Sequence, residues 1–502
     1  MKVNVVIRNR SLTAGRRKFL KYAMTGAVGT SLTIGTTAAS STEQHYSTRV
    51  NIVEAGADNT GKESITPILE EHRASDTLFE FPDGEYYMDR QFRFTNFSNV
   101  GFVGENATII PANYHNFDGP QYRLFRMGTA DRPGEQLEFR GFEIDQTASE
   151  TGIRVLNAEV TDGLLVEDVH IRGLHDSGTW GPGLFNIIDP QGTGIVRRFA
   201  APDGGLHVDD TPNSGNMWRG PTGILTNVHH QGSLTYHDCE LGGFPDNGLY
   251  CSGGSGNISI KGGSFSNSAT ASVRIGGYRA RIEDAEIRVD QPRNRGTHQH
   301  GIRLDYCEWT TIEDVSIRLP EPNGYAIRVK NDVNGVSMRR GDILVGPRVN
   351  TGIRIDPETG PVYINGTDIE FNGGGNAVQI RGTDAGRVGM QNVSITGDAS
   401  GSPMYHAIYT SRNNCRFRDL SIDQQGDSNR RGIELNGSDY IVYNCDITAS
   451  DYPIQINGNE AWIEDCHCTS TDGSASINLS SFAGSDIRLK NNEFPDGVRD
   501  SR

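Results

Sequence analysis

The sequence predicts an all-β protein, a single-stranded right-handed parallel β-helix of about 12 to 13 coils with an N-terminal capping segment. Three observations predict it: a short apolar pattern recurs along most of the chain, its units are too short for crossover helices, and 61 glycines stand against 20 prolines. A chain so rich in glycine needs many turns and close backbone approaches, which favours strands and turns over helices.

Each repeat opens with a small residue and an aliphatic–any–aliphatic unit, followed by a second unit, aliphatic–any–Asp/Asn–small–any–aliphatic. Gly301-Ile302-Arg303-Leu304 opens one such repeat, and after Gly223 successive openings lie 21 to 30 residues apart. Alternation of period two indicates a strand with one buried face, which a unit of this size can bury only by stacking on its neighbours. A β-propeller needs about 40 residues per blade and a blade motif, and the sequence shows neither.

Stacked coils place equivalent residues in columns, and three columns lead to predictions. Ile302, Ile327 and Ile353 should lie over one another in the interior. The seven cysteines include several at one apolar inward position, where a free cysteine behaves as a small hydrophobe rather than a metal ligand. A neighbouring column should form left-handed coil corners, because Asp and Asn tolerate that conformation; it contains Asp284, Asp314, Asn392, Asp419, Asn444 and Asp465.

The first 39 residues are typical of an export signal. A basic segment containing paired arginines precedes a weakly apolar stretch and a run of small residues ending near Ala39, which is the order of a secretory signal. Arg-Arg followed by Lys-Phe-Leu-Lys resembles the twin-arginine signal. We therefore expect an extracellular protein without stable membrane insertion after cleavage; the competing interpretation is an N-terminal anchor.

The predicted domains follow from these patterns. After the signal peptide at 1–39, a cap and the first coils occupy 40–110, and the β-helix occupies 111–495. An irregular insertion interrupts it near 174–222, and 496–502 should be a disordered tail.

The chain is acidic, with a formal net charge of −16. Nucleic acid is therefore excluded as a partner of the whole protein, because the summed field repels it. Only seven of the 47 basic residues are lysine. An acidic, arginine-dominated surface resembles that of proteins from salt-loving microbes, although a GC-rich genome would give the same bias.

The N-terminal segment and the repeat together resemble the pectate-lyase-like superfamily of right-handed β-helix proteins. The segment reads Ala55-Gly56-Ala57-Asp58-Asn59-Thr60-Gly61, then a helix-like stretch over 64–74, then Phe79-Glu80-Phe81-Pro82-Asp83-Gly84-Glu85-Tyr86-Tyr87. The resemblance spans about residues 50–495 and implies the fold more firmly than the reaction. Members of the superfamily include lyases, hydrolases and epimerases of polyuronates, and also binding spikes.

The main break in the repeat suggests one part of a functional site. It combines aromatic residues with carboxylates, which suits a sugar site because carboxylates act as acid, base or calcium ligand. The candidates are Asp209 and Asp210 in the break and Asp246 just beyond it as catalytic residues, and Trp218 and Arg219 as substrate-binding residues. The alternative is a solvated loop whose tryptophans cover a coil end.

An outward column of the first strand suggests the other part. It reads Tyr250, Arg274, Arg303, Arg328, Arg354, Gln379, Tyr409 and Glu434. Four arginines about 4.8 Å apart need partners, which are Asp305 and Asp356 in a salt-bridged ladder or a bound polyanion gripped by guanidinium groups. Small residues before the aliphatic, such as Gly301, should leave a shallow groove beside them.

We predict a secreted carbohydrate-active protein, a polysaccharide lyase or related hydrolase or epimerase of an acidic polysaccharide. Arg274 and Arg303 are the catalytic candidates in this column, and Tyr250, Arg328 and Arg354 the substrate-binding ones. No resident metal is predicted, although Ca²⁺ is a possible cofactor. The other class is a non-catalytic surface glycoprotein that binds polysaccharide or serves as a rod; convergence of Asp209, Asp210, Asp246 and Arg274 in one cleft would favour the enzyme.

Overall fold

A computed structural model describes residues 45–119, 121–213, 217–293, 298–321, 323–348, 350–402 and 405–502. The predicted signal peptide at 1–39 lies outside the described residues. Residues Tyr46–Arg502 form one compact unit, and all that follows concerns this unit.

The unit is a right-handed parallel β-helix of about 17 turns. In a typical coil, one strand such as His300–Asp305 belongs to a sheet of sixteen strands, and two more, such as Trp309–Glu313 and Ser316–Leu319, belong to a sheet of 29 strands. We call these the short sheet and the long sheet.

The strands of the short sheet, in chain order, are Phe92–Phe94, Arg123–Met127, Arg154–Val160, Gly183–Ile187, Ile224–Thr226, Asn247–Ser252, Ala271–Gly276, His300–Asp305, Ile327–Val329, Ile353–Ile355, Val378–Ile380, His406–Thr410, Arg431–Leu435, Ile454–Ile456, Ile477–Leu479 and Val498–Asp500.

The strands of the long sheet, in chain order, are Thr48–Asn51, Thr60–Ser64, Thr77–Phe81, Gly84–Met88, Ser98–Pro111, Glu135–Asp145, Leu164–Arg172, Thr193–Ala201, Ser233–His237, Glu240–Leu241, Asn257–Lys261, Ser264–Ser266, Arg279–Glu283, Glu286–Arg288, Trp309–Glu313, Ser316–Leu319, Val336–Arg339, Asp342–Val345, Val362–Asn365, Asp368–Phe371, Val388–Gln391, Ser394–Thr396, Cys415–Arg418, Ser421–Gln424, Tyr440–Tyr443, Asp446–Ala449, Ala461–Glu464, His467–Ser470 and Ile487–Lys490.

Helix is rare among the described residues. One α-helix, Thr66–Glu71, lies within the predicted helix-like stretch at 64–74, and two 3₁₀ turns span Tyr114–Asn116 and Val208–Asp210.

The predicted stacking is confirmed. Ile302 pairs in register with Ile327, and Ile327 with Ile353, and all three are buried. Burying an isoleucine side chain contributes about 1.5–3 kcal/mol, so a column of this kind stabilises every coil boundary. All seven cysteines are buried and free, as expected for core residues.

The predicted left-handed corners are also confirmed. The backbone angle φ lies between 52° and 54° at all six of these residues: Asp284, Asp314, Asn392, Asp419, Asn444 and Asp465. These residues turn the chain between the two long-sheet strands of a coil. Asp and Asn are found there because they tolerate the left-handed backbone conformation.

Three predictions, one for the number of coils and two for segments of the chain, need correction. The prediction of 12 to 13 coils is too low, because strands already pair in parallel from Thr48 onward. The early strands are long, such as the 14 residues of Ser98–Pro111, and this length hides the short repeat in the sequence. The predicted insertion at 174–222 contains the regular strands Gly183–Ile187 and Thr193–Ala201. In the predicted disordered tail, Val498–Asp500 pairs with Ile477–Leu479.

Candidate functional site

One outward residue from each strand of the short sheet forms a continuous column, which we call the central column. Its members occupy equivalent positions because the strands pair in register, and a step between coils is about 4.8 Å. The column reads Arg93, Arg126, Asn157, Leu184, Leu225, Tyr250, Arg274, Arg303, Arg328, Arg354, Gln379, Tyr409, Glu434, Gln455, Asn478 and Arg499.

Arg274 and Arg303 share one buried carboxylate. The Nε atom of Arg274 donates to Asp305 Oδ2 at 2.7 Å, and the Nε atom of Arg303 donates to Asp305 Oδ1 at 3.1 Å. Lys330 Nζ lies 3.4 Å from the same carboxylate. Burial alone would raise the pKa of Asp305, but Arg274 and Arg303 hold it below its ordinary value.

Arg328 and Arg354 repeat this arrangement around Asp356. The Nη2 atom of Arg328 lies 3.0 Å from Asp356 Oδ2, and the Nε atom of Arg354 lies 2.6 Å from Asp356 Oδ1. We call these four residues, Arg274, Arg303, Arg328 and Arg354, the arginine ladder. Its salt bridges are those the sequence predicts, and they compensate the repulsion between like charges on adjacent coils.

The small residues beside the ladder do not form the predicted groove. Gly301, Ala326, Gly352 and Ala377 are buried, and a Cβ atom added to Gly301 would lie 2.6 Å from the carbonyl oxygen of Ala326. The residues are small because neighbouring backbones approach closely there.

The groove lies instead at the residues that precede these small residues, because the backbone is irregular there. The consecutive amides of Gly301 and Ile302 both donate to the next coil, to the carbonyls of Tyr325 and Ala326, whereas regular alternation would turn every second amide the other way. The alternation of faces therefore breaks before the ladder, and Tyr325, three residues before Arg328, reaches the outer surface.

The resulting groove has a volume of about 690 Å³. It is lined by the side chains of the ladder residue Arg354 and of Gln379, and by an aromatic and basic set, His298, Tyr325, Arg348 and Tyr405, with Asn323, Asn350, Thr351, Gly375 and Asn376.

Arg354 is held in place within the groove. Its Nη1 atom donates to Gln379 Oε1 at 3.1 Å and to the Tyr325 hydroxyl at 3.4 Å, and its guanidinium carbon lies 5.6 Å from the Tyr325 ring centre. The rings of His298 and His300 are stacked at 5.9 Å, and those of His300 and Tyr325 at 5.1 Å. Burial, followed by the nearby Arg328 and Arg303, keeps the pKa of His300 well below its usual value, so His300 is neutral.

A second, smaller pocket of about 260 Å³ brings together other predicted residues. Trp218, Arg219 and Asp246 line it with Trp180, Met217, Gly220 and Thr222. We call it the tryptophan pocket. Trp218 is 73% exposed, and the Arg219 guanidinium stacks over its ring at 4.1 Å. Asp246 accepts hydrogen bonds from the hydroxyls of Thr222 at 3.1 Å and Thr270 at 3.0 Å.

The predicted catalytic constellation is not assembled. Asp209 and Asp210 lie on the 3₁₀ turn Val208–Asp210 and line neither the groove nor the tryptophan pocket. Asp246 makes no ion pair with Arg274 within the described part of the chain, since Arg274 is bound to Asp305 and its guanidinium carbon lies 4.3 Å from the Tyr250 ring.

A second group of arginines, not predicted from the sequence, lies on the same face. Arg93 and Arg126 are the first two rungs of the central column, and Arg123 pairs in register with Arg154 three residues earlier. We call these four residues the N-terminal arginine cluster. The signal was present in Phe92-Arg93-Phe94 and Phe125-Arg126-Met127, which share the repeat's pattern with an aromatic residue in the first inward position.

No protein-family model and no curated protein matches the chain. Solved structures match at low identity. The catalytic unit of a GH87 α-1,3-glucanase from Streptomyces thermodiastaticus is 14% identical with a TM-score of 0.36, over 90% of this chain and 69% of that one. The surface adhesin PfbA of Streptococcus pneumoniae is 9% identical with a TM-score of 0.36, over 86% and 92%. The mannuronan C-5 epimerase AlgE4 A-module of Azotobacter vinelandii is 10% identical with a TM-score of 0.26, over 90% and 96%.

These similarities carry no argument about function, so the site has to be interpreted from its own geometry. Two further findings concern the described residues: they contain no helix long and apolar enough to span a membrane, and no group of three or more His, Cys, Asp or Glu side chains placed to hold a metal ion.

Proposed function

We propose that the protein is an exported carbohydrate-active β-helix protein that binds an acidic polysaccharide along the outer face of the short sheet. The groove at Arg354 carries this proposal, because it combines arginine side chains with a half-buried aromatic wall. Guanidinium groups bind carboxylates in a fork geometry, and aromatic rings such as Tyr325 offer an apolar plate with a polar edge.

The position of the predicted candidates favours binding over the catalytic scheme that the sequence suggested. The two arginines proposed for catalysis, Arg274 and Arg303, are occupied by Asp305, and Asp246 is held by two threonine hydroxyls. None of these groups is placed to move a proton for the others.

The binding proposal is tested by titrating the full chain with polygalacturonate, alginate and neutral dextran in a calorimeter. We expect binding to the two uronans, with affinity falling as salt is added, and none to dextran. Arg354→Gln should weaken uronan binding about 10- to 100-fold, since a hydrogen bond to a charged group contributes about 1.5–3 kcal/mol.

Arg279→Gln is the matched control for this titration. It removes the same charge from an exposed position on the long sheet and should leave binding unchanged. Equal loss in both variants, or equal binding of dextran and uronans, would disprove the proposal.

A lyase activity is the second candidate, and one observation favours it: the groove holds an imidazole, a phenol and guanidinium groups together. In the proposed step Arg354 and Arg348 neutralise the uronate carboxylate and His298 removes the proton at C5. The electron pair forms a C4=C5 double bond, the C4–O bond breaks, and the Tyr325 hydroxyl protonates the leaving oxygen.

Ultraviolet absorbance of unsaturated products distinguishes the two candidates. With polygalacturonate or alginate, in calcium and in chelator, a rise that His298→Ala abolishes supports the lyase. Binding without any rise leaves the protein a polysaccharide-binding rod.

A further inference from the structure

The N-terminal arginine cluster differs from the ladder in having no salt bridge to a carboxylate among the described residues. In the described part of the chain, none of Arg93, Arg123, Arg126 and Arg154 forms an ion pair, whereas every ladder arginine lies against Asp305 or Asp356. Arg154 is 1% exposed and Arg123 8% exposed. A buried charge without a partner is costly, so the absence of a protein partner suggests an external one.

The hydrogen bonds of the cluster leave most of its donors available. Arg154 donates from Nε to the Gly181 carbonyl at 3.0 Å, and Arg123 from Nε to Asn157 Oδ1 at 3.0 Å. The buried Nε atom of Arg126 has no partner. A guanidinium has five N–H donors, so three side chains in this small area offer many more donors than they use.

Glu159, a buried carboxylate that attracts Arg123, Arg126 and Arg154 electrostatically, forms no salt bridge with them. Glu159 accepts from the amides of Asn157 at 3.4 Å and Asn186 at 3.2 Å and makes no salt bridge. Asp118, on the preceding loop, is exposed. Burial, together with repulsion by neighbouring arginines, outweighs the attraction of Glu159 and lowers the pKa of Arg154 to about 9 and that of Arg123 to about 10, which is the effect expected where buried cations are only partly compensated.

The cluster also adjoins the tryptophan pocket. The Arg154 guanidinium carbon lies 5.9 Å from the ring centre of Trp180, and Trp180 lines that pocket with Trp218. Trp180 therefore contacts both the pocket and the cluster.

We propose that the N-terminal arginine cluster is an anion-binding site that takes a sulfate ester or carboxylate of a sugar residue seated in the tryptophan pocket. Eight coil steps separate Arg126 from Arg354, about 38 Å along the axis. The site is therefore distinct from the groove and, resting on the proposed function, would hold a second part of the same anionic polysaccharide chain.

The first test uses small anions on the full chain and does not depend on the proposed function. Thermal unfolding is followed in sodium sulfate, sodium galacturonate and sodium chloride at equal ionic strength. We expect a rise in Tm with sulfate or galacturonate over chloride, because a ligand that binds only the folded state stabilises it; since sulfate also stabilises proteins by exclusion from their surface, the anion is identified by the part of the rise that the cluster variants lose. Equal Tm in all three salts overturns the proposal.

Arg126→Gln localises the effect. Removing an uncompensated charge should raise the Tm without added anion and abolish the extra rise with anion, whereas a merely structural arginine would lower the Tm and leave the anion effect intact. Arg93→Gln, at an exposed position of the same column, gives a second variant that does not disturb a buried side chain. Arg279→Gln is the control, and an anion effect that survives in both cluster variants overturns the proposal.

Polysaccharide binding then separates the two sites. Sulfated and uronate polysaccharides should bind the Arg126→Gln variant about tenfold more weakly than the unmodified chain. Loss in Arg354→Gln alone supports the groove and overturns the cluster site; loss in Arg126→Gln alone does the reverse.

Discussion

The arginine ladder and the N-terminal arginine cluster lie on the same face of one sheet, yet they differ in how their charge is balanced. Each carboxylate of the ladder serves two arginines at 2.6–3.1 Å, while Glu159 beside the cluster is held by asparagine amides. The ladder is therefore partly neutralised by its own carboxylates, whereas the cluster has no salt bridge among the described residues. Arginines on a surface cannot be interpreted as a binding site until their partners have been identified.

Because its arginines are held in salt bridges, most of the ladder does not act as a binding surface. Of its four members only Arg354 lines the groove, where it also contacts Tyr325 and Gln379. Arg274 and Arg303 act mainly within the scaffold, and the second arginine of the groove is Arg348, which lies outside the column.

The largest expected effect comes from removing a ladder carboxylate. Asp305→Asn leaves Arg274, Arg303 and Lys330 around a neutral amide, and loss of one partner of a buried ion pair costs about 3–5 kcal/mol. We expect the free energy of unfolding, measured in urea, to fall by that amount. Asp342→Asn, which breaks the exposed pair with Arg318, should cost less than about 1 kcal/mol; similar costs in both variants would contradict a structural role for the ladder.

A smaller effect on stability is expected at Glu434, a carboxylate further along the central column whose charge is also balanced by neighbouring groups. Burial would raise the pKa of this carboxyl, but the close contact with His406 Nε2, a hydrogen bond from Asn436 and the charge of Arg431 lower it to about 2. A lowered pKa means that the stabilisation is complete above the ordinary pKa, near 4.5, and is lost as pH falls from there to about 2. The loss is about 3 kcal/mol.

Glu434→Gln should remove this part of the acid dependence. The free energy of unfolding of the variant, measured from pH 6 to pH 2, should fall less steeply than that of the unmodified chain. Parallel curves would show that Glu434 ionises in the folded protein as it does in the unfolded chain.

The sequence was sufficient for the repeat but not for the site. Ile302, Ile327 and Ile353 stack as predicted because alternation and spacing determine which residues share a column. The corner residues, such as Asp284, were predictable because left-handed backbone selects Asp and Asn. Salt bridges to Asp305 and Asp356 followed from the same register.

The groove could not be predicted because it depends on a break in that alternation. Two consecutive amides, at Gly301 and Ile302, donate in the same direction, as do those of Gly352 and Ile353, and the spacing of the repeat does not predict this. From the sequence, Gly301 was expected to lie beside a groove. Its small size is explained instead by the close approach of the neighbouring backbone. The relation between Asp246 and Arg274 depended on loop paths that spacing does not determine.

The next prediction asks whether the two arginine sets act independently. Because Arg126 and Arg354 lie about 38 Å apart, the losses in binding free energy caused by Arg126→Gln and Arg354→Gln should add within about 0.5 kcal/mol in the double variant. Calorimetry with a long uronan checks this. With a short oligosaccharide that cannot reach both sites, each variant should affect only its own site, and a larger coupling there would contradict two separate sites.

The smallest expected change in stability concerns Trp218, which connects the cluster to sugar binding. The side chain is 73% exposed, so Trp218→Ala should change the free energy of unfolding by less than about 0.5 kcal/mol. Its ring supports Arg219 and lines the tryptophan pocket, so polysaccharide binding should weaken several-fold while the Tm rise with simple sulfate persists. Trp462→Ala removes a tryptophan exposed on the long sheet and should leave both measurements unchanged. Equal loss of binding in the two variants would mean that the tryptophans act through general surface contact, and the link between the pocket and the arginine cluster would then fail.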